Sequence, residues 1–475
     1  MKEAMDIKIS RENEGYWLHK GALGVRFDGK GKDGVIREKG KKQWLIVNVG
    51  ERKKVTERKL MLLARRVIRE ALAKKYKEVV IDVKEWRFSI PGVTLEDKEF
   101  GELLAVNFRM AHFEFRDFLS PPKEGWDEVR QVLLVNASSP AFRAGVTRGS
   151  IVGEEVNRSR HIATMPGGEM TPELLAKHAK ASIKGLPITC TVLDVKAMER
   201  LKMGGVLGVG QGSSAKPCFI VLEYWGAAGK KSAKVGKPVV LIGKGVTFDT
   251  GGINLKPSDY ILGMNMDMSG GAAVIHALAA AARLGVKKDI VALIPAVENM
   301  ASGSSYRPGD VLRSMSGKTI EVMNTDAEGR IILADALHYA KRYKPTLVVD
   351  VATLTGSAMM ALGERASALF TQDEKLEELF RDLGERSGDF VWPLPLWDEY
   401  DEEIKGTFGD VANLGKTRYG GAITAAVFLK QFVGQAYPWV HLDIAPRMTT
   451  LPDEFLAKGS AGAPIRLLVK LLEQA

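Results

Sequence analysis

Cysteine and histidine are scarce in this chain of 475 residues, with two Cys and seven His. Cys190 and Cys218 lie far apart without paired-thiol spacing, which excludes a disulfide framework and a thiolate zinc site. The histidines are scattered, and no Ser/His/Asp or Cys/His nucleophile arrangement stands out. Aromatic residues make up 7% of the chain, and neither an aromatic platform nor a reader helix for nucleic acid is evident. Long apolar runs are also missing. The longest, around Ala272 to Gly285, is Ala-rich and interrupted by His276 and Arg283, so it reads as a buried helix and not a membrane span. Met1 to Gly15 is charged throughout and holds no apolar stretch of the kind a secretory signal needs, so a cytoplasmic location is expected.

What is present is the balance of a folded globular protein, with 45% hydrophobic and 27% charged residues. The length makes two domains the natural expectation. The net charge of +10 is uneven, because residues 1–150 hold 31 Lys and Arg against 22 Asp and Glu, while the remainder holds 37 against 36. A basic N-terminal part is suited to an anionic partner such as DNA. Clusters such as Arg52-Lys53-Lys54 and Lys74-Lys75-Tyr76-Lys77 nevertheless read first as solvated surface, and DNA binding stays an alternative.

Along the first 150 residues, strand patterns at Trp44 to Val49, Val79 to Val83 and Val132 to Val135 accompany one long amphipathic pattern, Glu57 to Tyr76. Gly167-Gly168, followed by Thr171-Pro172 opening a helical stretch through Lys184, resembles a linker and a capped helix. The expected division is an N-terminal α/β domain at 1–165, a linker helix at 166–186 and a larger C-terminal domain at 187–475. In the last of these, β-rich runs at Thr189 to Val195, Phe219 to Tyr224, Val239 to Ile242, Ile290 to Ala296, Leu347 to Ala352 and Val440 to Ile444 alternate with helical stretches at Gly271 to Leu284, Arg330 to Arg342 and Lys375 to Glu385. The order predicts an α/β fold with a mixed, mostly parallel central sheet flanked by helices. No repeat is visible, and the one biased tract is a Gly/Ala/Lys turn from Gly226 to Lys237.

Chemistry-bearing residues cluster where strands hand over to helices, which is where open sheets bind ligands. After the strand ending at Ile242 come Lys244, Asp249, Gly251-Gly252 and Lys256, then Asp267 just before a helix. A second group is Asn324-Thr325-Asp326-Ala327-Glu328-Gly329-Arg330. Asp326 and Glu328 are two apart and would diverge on a helix, so both are expected on a loop. Three aspartates and a glutamate with no nearby histidine suit hard divalent ions, and bridging carboxylates hold a two-metal pair about 3.5 to 4 Å apart. Taken singly, Asp249 and Asp267 fit turn and cap roles and Asp326 and Glu328 fit a helix start. Taken together, so many charges in Gly-rich loops would repel unless cations neutralised them. Dinuclear carboxylate sites also serve phosphoester hydrolysis, and recognition of a substrate amine separates the two chemistries.

These residues resemble the M17 leucyl aminopeptidase family. Its signature Asn-Thr-Asp-Ala-Glu-Gly-Arg stands intact at Asn324 to Arg330. A second signature runs from Ile242 to Gly252, with Ile242 where the family has Val. Glu298-Asn299-Met300, Tyr306 to Asp310 and Met315-Ser316-Gly317 also follow the pattern. The likeness runs from about Pro187 to the C-terminus and is only general before it. It implies that Asp249 and Glu328 bridge two divalent metal ions, with Lys244 and Asp267 completing one site and Asp326 the other. Zn or Mn is expected, with Co or Mg as further candidates. Lys256 and Arg330 match the two catalytic residues that do not bind metal, Arg330 holding a bicarbonate. Met264, Thr353, Gly356, Ala445 and Met448 match an apolar substrate pocket, which Pro446 stiffens where the family commonly has Gly. The implied activity is release of Leu, Met and other apolar residues from short peptides with a free N-terminus by a two-metal hydroxide mechanism, in a homohexamer. His441 and Asp443 are read as structural.

Overall fold

The computed structural model describes residues 5–10, 21–29, 33–39, 42–90, 94–137, 139–227 and 237–474. Most of the charged stretch Met1 to Gly15 and most of the Gly/Ala/Lys turn between Gly226 and Lys237 lie outside the described residues. The chain forms two compact units, Met1–Asn157 with Thr450–Lys458, and Arg158–Thr449 with Gly459–Ala475.

The first unit is built on a six-stranded sheet in the order Asp6–Ile9, Gln131–Val135, Glu78–Asp82, Ala22–Asp28, Lys42–Asn48 and Val35–Lys39. All its pairs are parallel except the last. The amphipathic pattern from Glu57 forms the helix Glu57–Ala73, capped by the Thr56 side chain. It stops short of Tyr76 because Lys75 turns into the left-handed region at φ 61°. Two long helices, Asp97–His112 and Pro140–Thr164, were not expected from the sequence. The second carries Gly145 and Gly149, which read as helix breakers. In the fold they are contact points: a Cβ on Gly145 would stand 2.0 Å from the carbonyl oxygen of Lys98, and one on Gly149 2.4 Å from that of Glu102. The glycines let the two helices approach backbone to backbone.

The second unit holds a nine-stranded sheet. Eight strands follow the order Val391–Pro393, Ser367–Phe370, Trp439–Asp443, Leu347–Ala352, Val239–Gly243, Asp289–Asn299, Cys218–Trp225 and Ile188–Leu193, and Gly245–Asp249 pairs beside Asp289–Asn299. From Trp439–Asp443 to Asp289–Asn299 the strands are parallel, as expected, and antiparallel pairs flank them. Val239–Gly243, Leu347–Ala352 and Trp439–Asp443 are buried throughout, and apart from Asp350, His441 and Asp443 they are apolar, as strands covered on both faces require. The Ala-rich helix Ser269–Arg283 is buried almost to its last residue. Its small side chains allow close approach to the sheet, and a Cβ on Gly270 would meet the Val351 carbonyl oxygen at 2.1 Å. Among the described residues, no helix is long and apolar enough to cross a membrane.

The parallel arrangement aligns the carboxyl ends of four strands. Lys244 follows Val239–Gly243, Asn299 ends Asp289–Asn299, Thr353 follows Leu347–Ala352, and Ala445 comes two residues after Trp439–Asp443. The sequence-predicted site residues therefore converge on one end of the sheet.

Candidate metal centre

Lys244 sits between two short strands, its backbone fixed by a bond from its N–H to the Val351 carbonyl (3.0 Å) and another from Gly271 N–H to its own carbonyl (2.7 Å). Its Nζ lies 2.8 Å from each of Asp267 Oδ2, Glu328 Oε1 and the Thr353 carbonyl oxygen. The Thr353 hydroxyl donates to Asp267 Oδ1 at 2.7 Å, so strand end, helix start and lysine form one unit. Gly329 makes room for the ammonium: a Cβ there would stand 2.9 Å from Nζ.

Lys256 forms a second pair of contacts, 2.9 Å to Asp249 Oδ2 and a very close ion pair to Asp326 Oδ1. Asp249 Oδ1 accepts from Gly251 N–H and from Asn299 Nδ2, both at 2.8 Å. Asn299 Nδ2 also donates to the Thr325 carbonyl (2.9 Å), as does the Tyr306 hydroxyl (2.7 Å). The Thr325 hydroxyl donates in turn to the Gly251 carbonyl at 2.6 Å. The two signature segments are thereby tied to each other. Gly251 has φ 87°, and a Cβ there would stand 2.4 Å from the Asn254 carbonyl oxygen and 2.9 Å from Asp326 Oδ1, which explains why no larger residue fits.

Lys244, Asp249, Asp267 and Glu328 are 3%, 2%, 4% and 1% exposed, too buried for charged groups unless each is neutralised. Burial works against both lysine ammoniums, but the surrounding carboxylates prevail and raise both lysines above their ordinary pKa. Burial, then the nearby Glu328, pushes Asp249 up to about 6 against the pull of the lysines. Asp267 is pushed up by burial to about 8 despite Lys244, and burial raises Asp326 as well. Glu328 goes the other way: burial opposes its charge, yet Lys244 and Lys256 outweigh it. Burial lowers Arg330 to about 10, which leaves it cationic near neutrality.

The donor set fits divalent cations. Asp249, Asp326 and Glu328 each offer an oxygen within 4.8 Å of the others. Asp267 Oδ2, Asp326 Oδ1 and Glu328 Oε1 are buried without a hydrogen-bond partner among the described residues, each facing a lysine ammonium at ion-pair distance. Carboxylate oxygens so placed suit hard divalent ions.

Asp326 lies in a turn, as expected, but Glu328 is the first residue of the helix Glu328–Ala340, where the helix dipole favours its charge. The expectation that both lie on the loop holds for Asp326 alone. Arg330, on the same helix, donates from Nη1 to the Asn413 carbonyl at 2.8 Å, and its Nε has no partner among the described residues. Met264 stands at the start of the short turn Met264–Met268, Gly356 opens the helix Gly356–Leu362, and Ala445 and Met448 flank a turn after the last parallel strand. Met264, Ala445 and Met448 are half-buried and Gly356 is exposed. His441 is buried against Asp350 (2.6 Å) and stacked between Phe370 and Trp439. Asp443 accepts from Leu354 N–H (3.0 Å), the Thr355 hydroxyl (2.7 Å) and Ala445 N–H (3.1 Å), bracing the loops that carry Thr353, Gly356 and Ala445. Sequence reasoning assigned no role to Asn299, Tyr306 or Thr325, although all three lie inside quoted motifs. It missed Asn413 altogether.

Comparison with known proteins gives a consistent picture. The catalytic-domain model of the cytosol aminopeptidase family matches residues 157–469. A probable cytosol aminopeptidase of Syntrophotalea carbinolica is 44% identical over 78% of this chain and 75% of its own length. One of Bdellovibrio bacteriovorus is 38% identical over 93% and 88%. Among solved structures, a mutant of tomato leucine aminopeptidase superposes with a TM-score of 0.88 at 26% identity, covering 100% of this chain and 98% of that one. The bottromycin maturation enzyme BotP in complex with Mn gives 0.84 at 30% identity, covering 96% and 99%.

Proposed function

Because this chain belongs to the cytosol aminopeptidase family, and is thereby an aminopeptidase and a hydrolase, we propose that it releases Leu, Met and other apolar residues from the free N-terminus of short peptides by a two-metal mechanism. The observation that carries this reading is the paired cluster: Lys244 between Asp267 and Glu328, and Lys256 between Asp249 and Asp326.

Asp249 and Glu328 would bridge the ions, with Lys244 and Asp267 completing one site and Asp326 the other. Manganese is favoured by the Mn-bound similar structure, with Zn, Co and Mg as alternatives. When bound, such ions supply Lewis-acid polarisation of the scissile carbonyl, an activated water and a ligand position for the substrate amine. Lys244 ligates only as a neutral amine, so it gives up a proton on metal uptake. Lys256 keeps its proton and stabilises the oxyanion that develops on the carbonyl, a contact that strengthens toward the transition state. Arg330, cationic and with an Nε–H that has no partner among the described residues, would hold bicarbonate, a group that would relay a proton from the attacking water to the leaving amine.

The half-buried Met264, Ala445 and Met448, with Thr353 and Gly356, would receive the first side chain, and adaptable Met side chains favour broad apolar preference. A homohexamer, which the family resemblance implies, would cover exposed apolar residues such as Leu262, Met360 and Phe408. The names of the relatives support a cytoplasmic location. The basic N-terminal unit favours DNA less than its charge suggests, because Arg69, Lys74, Arg87 and Arg116 are all ion-paired.

Side-by-side hydrolysis of leucine p-nitroanilide, its N-acetyl derivative and p-nitrophenyl phosphate tests the reading. Turnover of the first alone is expected. Rapid cleavage of the phosphoester, or equal cleavage of the blocked amide, would defeat it.

A further inference from the structure

Asn413 follows the two-residue strand Val411–Ala412, which pairs in parallel with Thr319–Glu321. It is fully buried, at 0% exposure. Its Nδ2 donates to the carbonyls of Asn324 (2.7 Å) and Ala327 (3.3 Å). Its Oδ1 accepts from the N–H groups of Met323 (2.7 Å) and Asn324 (3.3 Å). Every donor and acceptor of the amide is therefore committed to one short segment, the turn that carries Asp326 and delivers Glu328. The backbone of Asn413 is engaged as well: its N–H donates to the Glu321 carbonyl (3.0 Å) and its carbonyl accepts from Arg330 Nη1 (2.8 Å).

A turn has no ladder of its own to fix it, and Asp326 N–H is held by the Asn324 side chain within the same turn (2.7 Å). What anchors the turn to the small sheet is the Asn413 amide. No other side-chain type offers two donors and a two-lone-pair acceptor in this compact planar shape. Aspartate would set a carboxylate against two carbonyl oxygens, and alanine would remove the side-chain partner of four backbone groups, of which the Asn324 carbonyl keeps the Ala327 N–H at 3.3 Å.

We infer that Asn413 is a positioning residue for the metal centre, holding the Asp326–Glu328 turn and the Arg330 guanidinium in one fixed relation. It touches neither substrate nor ion and acts through the backbone of the residues that do. Supporting groups of this kind typically change metal affinity or activity about 10- to 100-fold when altered.

The inference rests on the two-metal reading above, and the experiment separates the two. Metal-free wild type, Asn413→Ala and Asn413→Asp are titrated with Mn(II) calorimetrically, and the melting temperature of each metal-free protein is recorded. Wild type is expected to take up two ions per chain. Both variants should remain folded without metal and bind at least one ion about 10- to 100-fold more weakly, with kcat lowered at saturating Mn(II) and KM changed far less. Wild type that binds no Mn(II) would defeat the two-metal reading itself. Variants that bind as wild type does would overturn the role of Asn413 alone. Metal-free variants that both fail to fold would make Asn413 a residue of the fold, which overturns it equally.

Discussion

Lys244 Nζ stands equidistant, at 2.8 Å, from Asp267 Oδ2 and Glu328 Oε1. In the metal-free fold the lysine is the counter-ion of the carboxylates, and on the proposed two-metal reading it would become their fellow ligand on metal uptake. Binding would then expel its proton, together with those kept on Asp249 up to about pH 6 and on Asp267 up to about pH 8.

Metal affinity should accordingly rise with pH across that window, with protons released to the buffer. Calorimetric titration in buffers of different ionisation enthalpy reads both. Unchanged affinity and no proton release would contradict the arrangement.

The same two carboxyls set the stability of the metal-free protein. Their pKa values lie above the ordinary carboxylate range, so the fold holds protons that the unfolded chain has released. Their contribution is complete below that range and is lost as pH rises through about 6 and then about 8. The metal-free melting temperature should fall between these values, and Mn(II) should raise it more at the alkaline end. Thermal melts with and without metal decide this.

Gly329→Ala should cost both stability and activity. The new Cβ would meet Lys244 Cε at 2.8 Å and force the lysine aside, while replacing a helical glycine favours the helix by up to about 1 kcal/mol. Because a displaced Lys244 leaves Asp267 and Glu328 buried without their counter-ion, at a cost of about 3 to 5 kcal/mol, the expected variant melts lower without metal and loses activity about tenfold or more at limiting Mn(II), an effect of supporting groups on metal sites. Wild-type activity would show that Lys244 need not hold its observed place.

Lys256→Ala should lower kcat about 100- to 1,000-fold, the range seen when an oxyanion donor is removed, with KM for leucine p-nitroanilide little changed. A rise in KM at constant kcat would instead make Lys256 a substrate-binding group.

Much of the fold was legible because the central strands are buried on both faces. Leu347–Ala352 is an apolar run broken only by Asp350, with the bounds its sequence suggests, and the Ala-rich stretch after Asp267 could only be a buried helix. The helix Pro140–Thr164 was not legible, because glycines that break isolated helices are here the points where two helices touch. In the site, Lys244, Asp249, Asp267, Asp326 and Glu328 stood out as charges placed at strand ends. Asn413 did not: it is neutral, follows the short apolar strand Val411–Ala412, and is tied to the site by a fold that brings it beside a turn some ninety residues earlier in the chain. Charge at a strand end announces itself in a sequence, and an amide that braces a distant backbone does not.

The most direct test is leucine p-nitroanilide hydrolysis by metal-stripped protein with Mn, Zn, Co and Mg restored in turn, beside Asp326→Asn. Activity that returns with metal and is abolished by the substitution is the predicted result. Folded, assembled protein that stays inactive with every ion would contradict the two-metal aminopeptidase and turn attention to its basic N-terminal unit.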